Sequence, residues 1–522
     1  MLTAFHHLLE TAAGAYPQNP ALSYGSSTIT YEALWREARA VGAGLADLGL
    51  ARGERVGVFL EKRIETVAAF FGISAADGIF VPINPLLRPE QVAFVLADCD
   101  VRVLITSTDR LAQLGEAVKA CPALEHIVLV DDASVSTGLR AKVSAWREVF
   151  RQAPGQRAIG TTIDHDLAAI LYTSGSTGRP KGVVLSHRNL IVGAESVSSY
   201  LKNTQDDVIL AALPLSFDAG LSQVTTGFRV GAHVVLMNYL VAQDVPRLCA
   251  RHGVTGITAV PPLWIQLAEA RWPEEVGARL RYFANTGGRM PRPLLDRLRG
   301  LFPNAAPYLM YGLTEAFRST YLDPDEVDRR PDSIGKAIPD AEILVVKPDG
   351  SPCGPDEEGE LVHRGALVAQ GYWNDPERTA ERFRPVPGRD EPWRAPERAV
   401  FSGDIVRRDA EGFLYYVGRR DEMIKTSGYR ISPTEIEEAA YRTHLVGDAV
   451  AMGIDDERLG QRVVLVASPI NGAPLNIEAL LAEMKRQLPL YMVPSRVITR
   501  EAIPRSANGK FDRVLLRAEL GA

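Results

Sequence analysis

Hydrophobic and polar positions along the first 160 residues alternate between two periods. In residues 31–48 (YEALWREARAVGAGLADL), apolar side chains recur at helical spacing, which predicts an amphipathic helix. Short β-branched runs at 55–60, 101–106 and 126–130 predict strands. Strands that are separated by helices of this length are typical of parallel α/β layers. We therefore expect an α/β subdomain in this part of the chain.

A second block of the same kind follows a polar stretch. The strand that is predicted at 167–173 leads into apolar runs at 208–213, 233–237 and 256–260. These runs have the length and the β-branched character of buried strands. A second α/β subdomain is the expected result.

The pattern changes again near Ser333. Short strands and Gly/Pro turns follow, which predict a small antiparallel, barrel-like sheet. Strands and helices mix in the last hundred residues, as in the helix that is predicted at 477–487. The predicted fold class is therefore α/β, with a large N-terminal body of two α/β subdomains plus a small β-barrel, and a small α+β C-terminal domain.

Composition narrows the class of protein. The chain of 522 residues is 46% hydrophobic and 23% charged, and its net charge of −6 gives no sign of nucleic-acid binding. The four cysteines form no C-x-x-C pair, which fits neither a zinc site nor a disulfide framework. No signal-peptide pattern and no apolar run of about 18 residues is present. We expect a cytoplasmic protein without a membrane span.

Residues 172–183 (YTSGSTGRPKGV) carry the strongest chemical signal. Their glycines let backbone N–H groups approach a polyanion, while hydroxyl groups and a lysine supply further donors. The Gly-Lys spacing is not that of a Walker loop, and a flexible surface loop is the alternative for such a composition. The candidate phosphate-binding residues are Thr173, Ser174, Gly175, Ser176, Thr177, Gly178 and Lys181.

This segment resembles the signature loop of the acyl-adenylate-forming superfamily. That family comprises AMP-dependent acyl-CoA synthetases, peptide-synthetase adenylation domains and luciferases, and its loop handles the ATP β- and γ-phosphates and the pyrophosphate leaving group. The chain is most similar in overall character to a bacterial stand-alone AMP-forming acyl-CoA ligase. Further motifs follow in the family's order: NTGGRMP at 285–291, YGLTEA at 311–316, SGD at 402–404, GRRDEMIKTSGYRISPTEIE at 418–437 and PRSANGK at 504–510.

The resemblance implies a nucleotide site. Tyr311 would pack against adenine, Asp404 would accept both ribose hydroxyls, and Arg419 would contact ribose or phosphate. Taken alone, the aspartate would be an ordinary turn residue. Beyond the loop, the implied nucleotide-binding residues are Gly287, Gly288, Tyr311, Gly312, Thr314, Asp404, Arg419 and Lys510.

The resemblance also implies the catalytic residues. Thr314 would contact phosphate, although a helix N-cap is the alternative for this residue. Glu315 would hold Mg²⁺, a hard cation that prefers carboxylate oxygens. Lys181 would act on the phosphates, and Lys510 would oppose the charge that builds on the α-phosphate and the acid's oxygen during adenylation.

Two domains follow from the same resemblance. Residues 1–420 would bind AMP and the acyl group, and residues 421–522 would form a mobile C-terminal domain that carries Lys510. Asp421 would be the hinge. A loop that contains Lys425 and Gly428 would swing in for thioester formation, with the glycine leaving room for a pantetheine arm.

The acid-binding residues leave the substrate class open. PLSFDAGL at 214–221 resembles amino-acid-activating relatives, in which Asp218 pairs with the substrate's α-ammonium group. Gly220 and Leu221 depart from the Ser-Val of those enzymes. Arg318 could neutralise Asp218, meet a second carboxylate or a polar tail, or form an outward salt bridge. We favour a non-amino acid. The implied substrate-binding residues are Phe217, Asp218, Ala284, Thr286, Met310 and Arg318, with Pro262 and Trp264 also near the pocket by position.

Together these features predict an AMP-forming acid–thiol ligase. It would use ATP and Mg²⁺ to convert a carboxylic acid to an acyl-adenylate plus pyrophosphate, and then transfer the acyl group to the thiol of CoA. The alternative is an amino-acid adenylation enzyme that loads the phosphopantetheine arm of a carrier protein. An adenylate-binding protein without turnover is disfavoured by the presence of Lys181, Glu315 and Lys510.

Overall fold

The computed structural model describes most of the chain. The described residues are 2–131, 138–150, 162–173, 180–239, 241–389, 392–393, 395–420, 422–426, 429–456, 459–470, 474–506 and 509–520. Their helices are α1 His7–Ala15, α2 Tyr31–Asp47, α3 Ile64–Ala75, α4 Pro89–Asp98, α5 Thr108–Leu114, α6 Trp146–Val149, α7 His187–Tyr200, α8 Asp218–Val230, α9 Asp244–His252, α10 Pro261–Glu269, α11 Glu274–Arg279, α12 Arg292–Leu301, α13 Pro376–Arg382, α14 Pro433–Arg442, α15 Ile477–Gln487 and α16 Arg513–Leu520.

The strands of the same residues fall into four sheets. In chain order they are β1 Pro20–Tyr24, β2 Ser27–Thr30, β3 Arg55–Phe59, β4 Ile79–Pro82, β5 Val103–Thr106, β6 His126–Leu129, β7 Lys142–Ala145, β8 Leu167–Thr173, β9 Lys181–Ser186, β10 Val208–Ala211, β11 His233–Leu236, β12 Gly256–Ala259, β13 Tyr282–Asn285, β14 Ala306–Tyr311, β15 Thr320–Leu322, β16 Lys336–Ala337, β17 Ala341–Val346, β18 Glu358–Gly365, β19 Gly371–Tyr372, β20 Phe383–Pro385, β21 Arg398–Arg408, β22 Leu414–Arg419, β23 Ile424–Thr426, β24 Tyr429–Ile431, β25 Val446–Asp456, β26 Gly460–Pro469 and β27 Arg496–Thr499.

An eight-stranded sheet forms the first α/β subdomain. Its order in the described residues is β19-β9-β8-β4-β3-β5-β6-β7, and the ladder from β8 to β7 is parallel. The strands predicted at 55–60, 101–106 and 126–130 are β3, β5 and β6 of this ladder. Helices between parallel strands cover the faces of such a sheet, so its strands are apolar on both sides.

A nine-stranded sheet forms the second α/β subdomain. Its described order is β16-β15-β14-β13-β12-β10-β11-β1-β2, with the ladder from β14 to β1 parallel. The hairpin β1–β2 corrects the assignment of the first 160 residues to one subdomain, because β1 pairs with β11 and sets Leu22 opposite Val234. Ala21 and Leu22 are fully buried there, which explains why the hairpin joins the second sheet.

Two smaller sheets follow. An antiparallel sheet, β17-β18-β21-β20 with β22 on β21, occupies the segment for which a small barrel is predicted. The strands from β23 onward form a separate sheet, β24-β23-β26-β25 with β27 on β26. A mixed α/β fold with a large N-terminal body and a small C-terminal domain is thus confirmed, while the boundary between residues 420 and 421 stays a prediction.

The cysteines and the helix lengths can be described directly from the structure. Cys99, Cys121, Cys249 and Cys353 are all buried free thiols. Within the residues that the structure describes, no helix is both long enough and apolar enough to cross a membrane.

Candidate active site

The predicted phosphate loop connects two antiparallel strands. Thr173, the last residue of β8, lies opposite Lys181, the first residue of β9. The hydroxyl of Thr173 is buried and has no hydrogen-bond partner among the described residues. Between these ends, Ser174, Gly175, Ser176, Thr177 and Gly178 lie outside the described residues.

Lys181 meets Glu315 and a tyrosine that the sequence did not single out. Lys181 Nζ lies 2.8 Å from Glu315 Oε1 and 2.7 Å from the hydroxyl of Tyr372, and that hydroxyl donates to the same Glu315 oxygen at 2.5 Å. Burial lowers the pKa of Lys181, although Glu315 opposes the shift. Burial alone would raise the pKa of Glu315, but the charges of Lys181 and Arg382 lower it to about 2. Glu315 is therefore an ionised, buried carboxylate at neutral pH.

A second carboxylate lies next to Tyr311. The Tyr311 hydroxyl donates a hydrogen bond to Asp404, and Arg419 Nε lies 3.7 Å from the other oxygen of the same carboxylate. Burial raises the pKa of Asp404, while the charges of Arg419, Arg382 and Lys510 oppose the rise. The residues that the resemblance assigns to adenine and ribose thus lie in direct contact.

Backbone geometry brings Lys510 to the same site. Gly287 has a φ of +75°, and a Cβ there would lie 3.1 Å from Val260 Cγ1 and 3.8 Å from Cε of Lys510. Any side chain at Gly287 would strain the turn and crowd Val260, and its Cβ would be in van der Waals contact with the lysine. Gly288 lies against Pro261 in the same turn. The C-terminal domain therefore lies with its candidate catalytic lysine beside the two glycines for which nucleotide binding is predicted.

The YGLTEA segment does not contain the helix N-cap that its local sequence would allow at Thr314. Thr314 begins a single 3₁₀ turn, Thr314–Ala316, whose N-cap is Leu313 and not Thr314. Gly312 lies close to the backbone that follows, since a Cβ there would be 3.0 Å from Cα of Arg318. The turn therefore aims Glu315 inward without a threonine cap.

Asp218 and Arg318 form a buried ion pair. Arg318 Nη1 donates to Asp218 Oδ2 at 2.7 Å and to the carbonyl of Phe317 at 2.8 Å. Arg318 is 2% exposed and Asp218 is 9% exposed, which rules out the outward salt bridge. Of the three possibilities for Arg318, the observed one is neutralisation of Asp218.

Helix α8 explains the unusual Gly220. The helix begins at Asp218 with Phe217 as its N-cap, after the loop 212–216 that follows β10. A Cβ at Gly220 would lie 1.9 Å from the carbonyl oxygen of Pro214, so the first turn can pack this closely only with glycine. Lys62 fixes the start of the loop, because its Nζ donates to the carbonyls of Ala212 and Leu213 at 2.7 and 3.2 Å.

Only some of the other predicted acid-binding residues line a common cavity. Ala284 and Thr286 are buried at the end of β13, and Trp264 is a fully buried core side chain packed edge-on against Phe283. Met310 accepts a hydrogen bond from Tyr200 at 3.0 Å. A small cavity nearby is lined in part by two of the predicted residues, Met310 and Arg318. Its lining also contains Ser222, Gln223, Thr226 and Thr258.

The hinge region is described in part. Asp421 and Gly428 lie outside the described residues, and of Lys425 the structure describes the backbone, which pairs with Arg430 between β23 and β24. Ser432 is the N-cap residue of α14, but its hydroxyl donates to the carbonyl of Val417 and caps no helical N–H. The roles assigned to the hinge residues stay predictions.

Tyr372 and Arg382 lie at the candidate site although no sequence motif indicates them. Tyr372 reaches Lys181 across 191 positions of the chain, and Arg382 ends α13 beside the SGD segment. Neither belongs to a motif with a local spacing that indicates phosphate or metal chemistry. Only the tertiary structure brings them together with Glu315.

Comparison with known proteins gives matches that extend over almost the whole chain. The AMP-binding enzyme family matches residues 9–373, and the AMP-binding enzyme C-terminal domain matches residues 435–510. Gramicidin S synthase 2 of Aneurinibacillus migulanus is 29% identical over 98% of this chain, although the chain spans only 11% of that protein.

Two further comparisons cover both partners almost completely. The long-chain-fatty-acid–CoA ligase of Bacillus subtilis (strain 168) is 26% identical, over 98% of this chain and 94% of that protein. The crystal structure of the anthranilate CoA ligase AuaEII in complex with anthranoyl-AMP superposes with a TM-score of 0.89 at 25% identity, over 99% of this chain and 97% of the other.

Proposed function

The chain belongs to the AMP-binding enzyme family, and we propose that it is an AMP-forming acid–thiol ligase. The observation that carries the proposal is the convergence of Lys181, Glu315, Asp404 and Lys510 on one site. In this proposal the enzyme joins a carboxylic acid to the α-phosphate of ATP and releases pyrophosphate. It then transfers the acyl group from the adenylate to a thiol and releases AMP.

Each polar group has a task in the first step. Asp404 accepts the ribose hydroxyls, and Lys181 holds the phosphate chain as a point charge. Lys510 opposes the negative charge that develops where the acid's oxygen joins the α-phosphate. Lys510 lies beside Gly287, so in this proposal its ammonium group acts on a nucleotide that is bound against this turn.

Glu315 fits a magnesium ion. It is ionised, and both hydrogen bonds from described side chains, those of Lys181 and Tyr372, end on Oε1. Mg²⁺ is commonly held by one or two carboxylates together with substrate phosphates and water, so a single carboxylate suits it. When bound, the ion supplies positive charge that neutralises the phosphate oxygens. The groups that orient Glu315 for this role are Lys181 and Tyr372.

The acid in this proposal has no α-ammonium group. Asp218, which pairs with that group in amino-acid-activating relatives, already has a partner in Arg318 at 2.7 Å. An amino acid would have to displace a buried guanidinium from its carboxylate, and leaving such a charge unpaired costs roughly 3–5 kcal/mol. The ion pair therefore favours a plain carboxylic acid over an amino acid.

The thiol in this proposal is that of CoA. The fatty-acid ligase and the anthranilate ligase, which correspond to this chain over almost their full lengths, are both CoA ligases by name. Loading of a carrier protein's phosphopantetheine arm is the alternative, and the match to gramicidin S synthase 2 supports it. Asp421 as the hinge, and Lys425 and Gly428 as residues of the thiol step, belong to the same proposal.

Pyrophosphate exchange into ATP tests the first step. A panel pairs each amino acid with its des-amino analogue, for example phenylalanine with 3-phenylpropionate, beside aliphatic and aromatic acids. We expect exchange with at least one plain acid and none with its amino counterpart. Disappearance of the CoA thiol with that acid then tests the acceptor. Failure of every acid to support exchange contradicts the proposed function, and exchange with amino acids alone contradicts the substrate class.

A further inference from the structure

Arg382 reaches the candidate site past a glycine. It is the last residue of α13, and a Cβ at Gly403 would lie 2.8 Å from Nη1 of Arg382 and 3.8 Å from Nη2 of Arg419. Gly403 also has a φ of +68°, a conformation that favours glycine. Because Gly403 immediately precedes Asp404, the guanidinium of Arg382 lies next to the segment that carries the candidate ribose-binding carboxylate.

The guanidinium has unused hydrogen-bonding capacity. Nε of Arg382 is buried and has no hydrogen-bond partner in the described part of the chain. A buried donor without a partner destabilises the folded protein, so such a group in a site points to a ligand that satisfies it. Arginine presents its donors as a planar fork that suits the oxygens of a phosphate.

The charge of Arg382 acts on two carboxylates that have different candidate roles. The positive charge of Arg382 acts on the carboxylates of both Glu315 and Asp404. Arg382 is thus within electrostatic reach of the candidate metal-binding carboxylate and of the candidate ribose-binding carboxylate. In a nucleoside triphosphate, the phosphate chain is the part that joins ribose to the metal.

The net charge of the side chains at the candidate site also favours a phosphate ligand. Lys181 is paired with Glu315, and Arg419 lies 3.7 Å from Asp404. Arg382 and Lys510 are further cations, so among these described side chains the four positive charges exceed the negative charges of Glu315 and Asp404. Glu360, which accepts a hydrogen bond from the backbone N–H of Gly403, has its own partners in Arg384 and Arg420. Such an excess in a partly buried site attracts a polyanion.

We propose that Arg382 binds the phosphate chain of the nucleotide and is a phosphate-binding residue of this site. The proposal rests on the proposed function, since it assumes that ATP and AMP are the ligands. It assigns to Arg382 the phosphate oxygens between ribose and metal, and it assigns to Gly403 the space that the guanidinium needs.

Equilibrium binding of adenosine, AMP and ATP with Mg²⁺ tests the assignment. The variants are Arg382→Gln and Arg382→Lys, with Arg378→Gln as the matched control on the same helix, where Arg378 pairs locally with Asp375 at 3.2 Å. For Arg382→Gln, we expect Kd to rise roughly 10- to 100-fold for AMP and ATP, as for the loss of a charge-assisted hydrogen bond, and to stay within about twofold for adenosine. Arg382→Lys should recover part of the loss, and the control should bind like the wild type.

The three ligands separate the possible results. Equal weakening of adenosine and of the nucleotides means that Arg382 only supports the ribose site, which overturns the inference. Unchanged nucleotide affinity in Arg382→Gln, with a wild type that binds ATP, also overturns it and leaves the proposed function standing. A wild type that binds none of the nucleotides contradicts the proposed function itself. If Arg382→Gln does not fold, the same comparison applies to Arg382→Lys, for which we expect a smaller nucleotide-specific loss.

Discussion

At the residue scale, three lysines illustrate how surroundings decide the role of one side-chain type. Lys62 is 7% exposed, donates to two carbonyls, and has its pKa lowered to about 7 by burial. Lys181 is paired with an ionised carboxylate. Lys510 is exposed and lies against Gly287, where no side chain obstructs it. Lys62 therefore acts on the protein's own backbone, whereas the other two can act on a ligand.

Lys510→Ala should separate the two half-reactions. In the proposed function the lysine acts where charge develops during adenylation, so we expect acid-dependent pyrophosphate exchange to fall by about two to four orders of magnitude. Thioester formation from a chemically prepared acyl-adenylate should change much less. The two rates are measured separately on the same preparation. Equal losses in both half-reactions would contradict the role of Lys510, because they would indicate a general defect.

Removal of Asp218 should reveal that it serves Arg318 and not the substrate. Asp218→Ala leaves a guanidinium buried without its carboxylate, so we expect the free energy of unfolding to fall by roughly 3 kcal/mol. The double variant Asp218→Ala/Arg318→Met should recover much of that stability, because no buried charge remains. Denaturant unfolding of both variants provides the measurement. A wild type that activates an amino acid, combined with loss of that activity in Asp218→Ala, would show instead that the carboxylate binds the substrate.

At the element scale, two buried histidines join the segment that leads into α1 to the body. His187, the first residue of α7, accepts a hydrogen bond from the backbone N–H of Phe5 at 2.9 Å, and His6 lies 3.0 Å from the hydroxyl of Ser74. Burial is the main cause that lowers the pKa of His6 to about 3 and that of His187 to about 4. Both rings are therefore neutral at neutral pH, and protonation of His187 at its acceptor nitrogen would break the bond to Phe5.

Acid should weaken this attachment. Below pH 6.5, the unfolded chain binds protons that the folded histidines do not, so stability is lost as the pH falls from 6.5 toward 4. At pH 5, each histidine should contribute roughly 2 kcal/mol to the loss. Denaturant midpoints at pH 7 and pH 5 measure it, and His187→Gln, which keeps an acceptor for Phe5, should lose less than the wild type. The same loss in both proteins would contradict this account.

Elements with a strong local pattern were predictable, and those set by distant contacts were not. The strand at 167–173 and the helix at 477–487 have the bounds of β8 and α15, because their apolar spacing is sufficient to define them. Pairing of β1 with β11 depends on residues more than 200 positions apart. The position of the Arg382 side chain depends on the space that Gly403 leaves because it has no Cβ. No local spacing in the sequence indicates this contact. Most residues of the candidate site were therefore predictable from sequence motifs, whereas Tyr372 and Arg382 could be found only from tertiary contacts.

At the scale of the whole molecule, one short segment meets the C-terminal domain in two ways. Gly287 lies against Lys510, and Arg289 contacts Glu438 of α14 while also donating to Asp332 at 2.6 Å. Both contacts join the domain that carries the candidate catalytic lysine to residues 285–291 of the body. Because Arg289 and Glu438 carry opposite charges, their contact favours the arrangement in which Lys510 lies beside the candidate nucleotide site.

Loss of the ion pair should shift the balance between the two half-reactions. Glu438→Gln removes the charge that faces Arg289 and keeps the size of the side chain, so the arrangement needed for adenylation loses roughly 1 kcal/mol, as for a partly buried ion pair. We expect pyrophosphate exchange to fall about fivefold, with thioester formation from prepared adenylate unchanged or faster. Arg442→Gln is the control, because Arg442 approaches the same carboxylate at 3.7 Å from within α14. A parallel fall in both half-reactions, or the same effect in the control, would mean that the Arg289–Glu438 contact does not set the position of the domain.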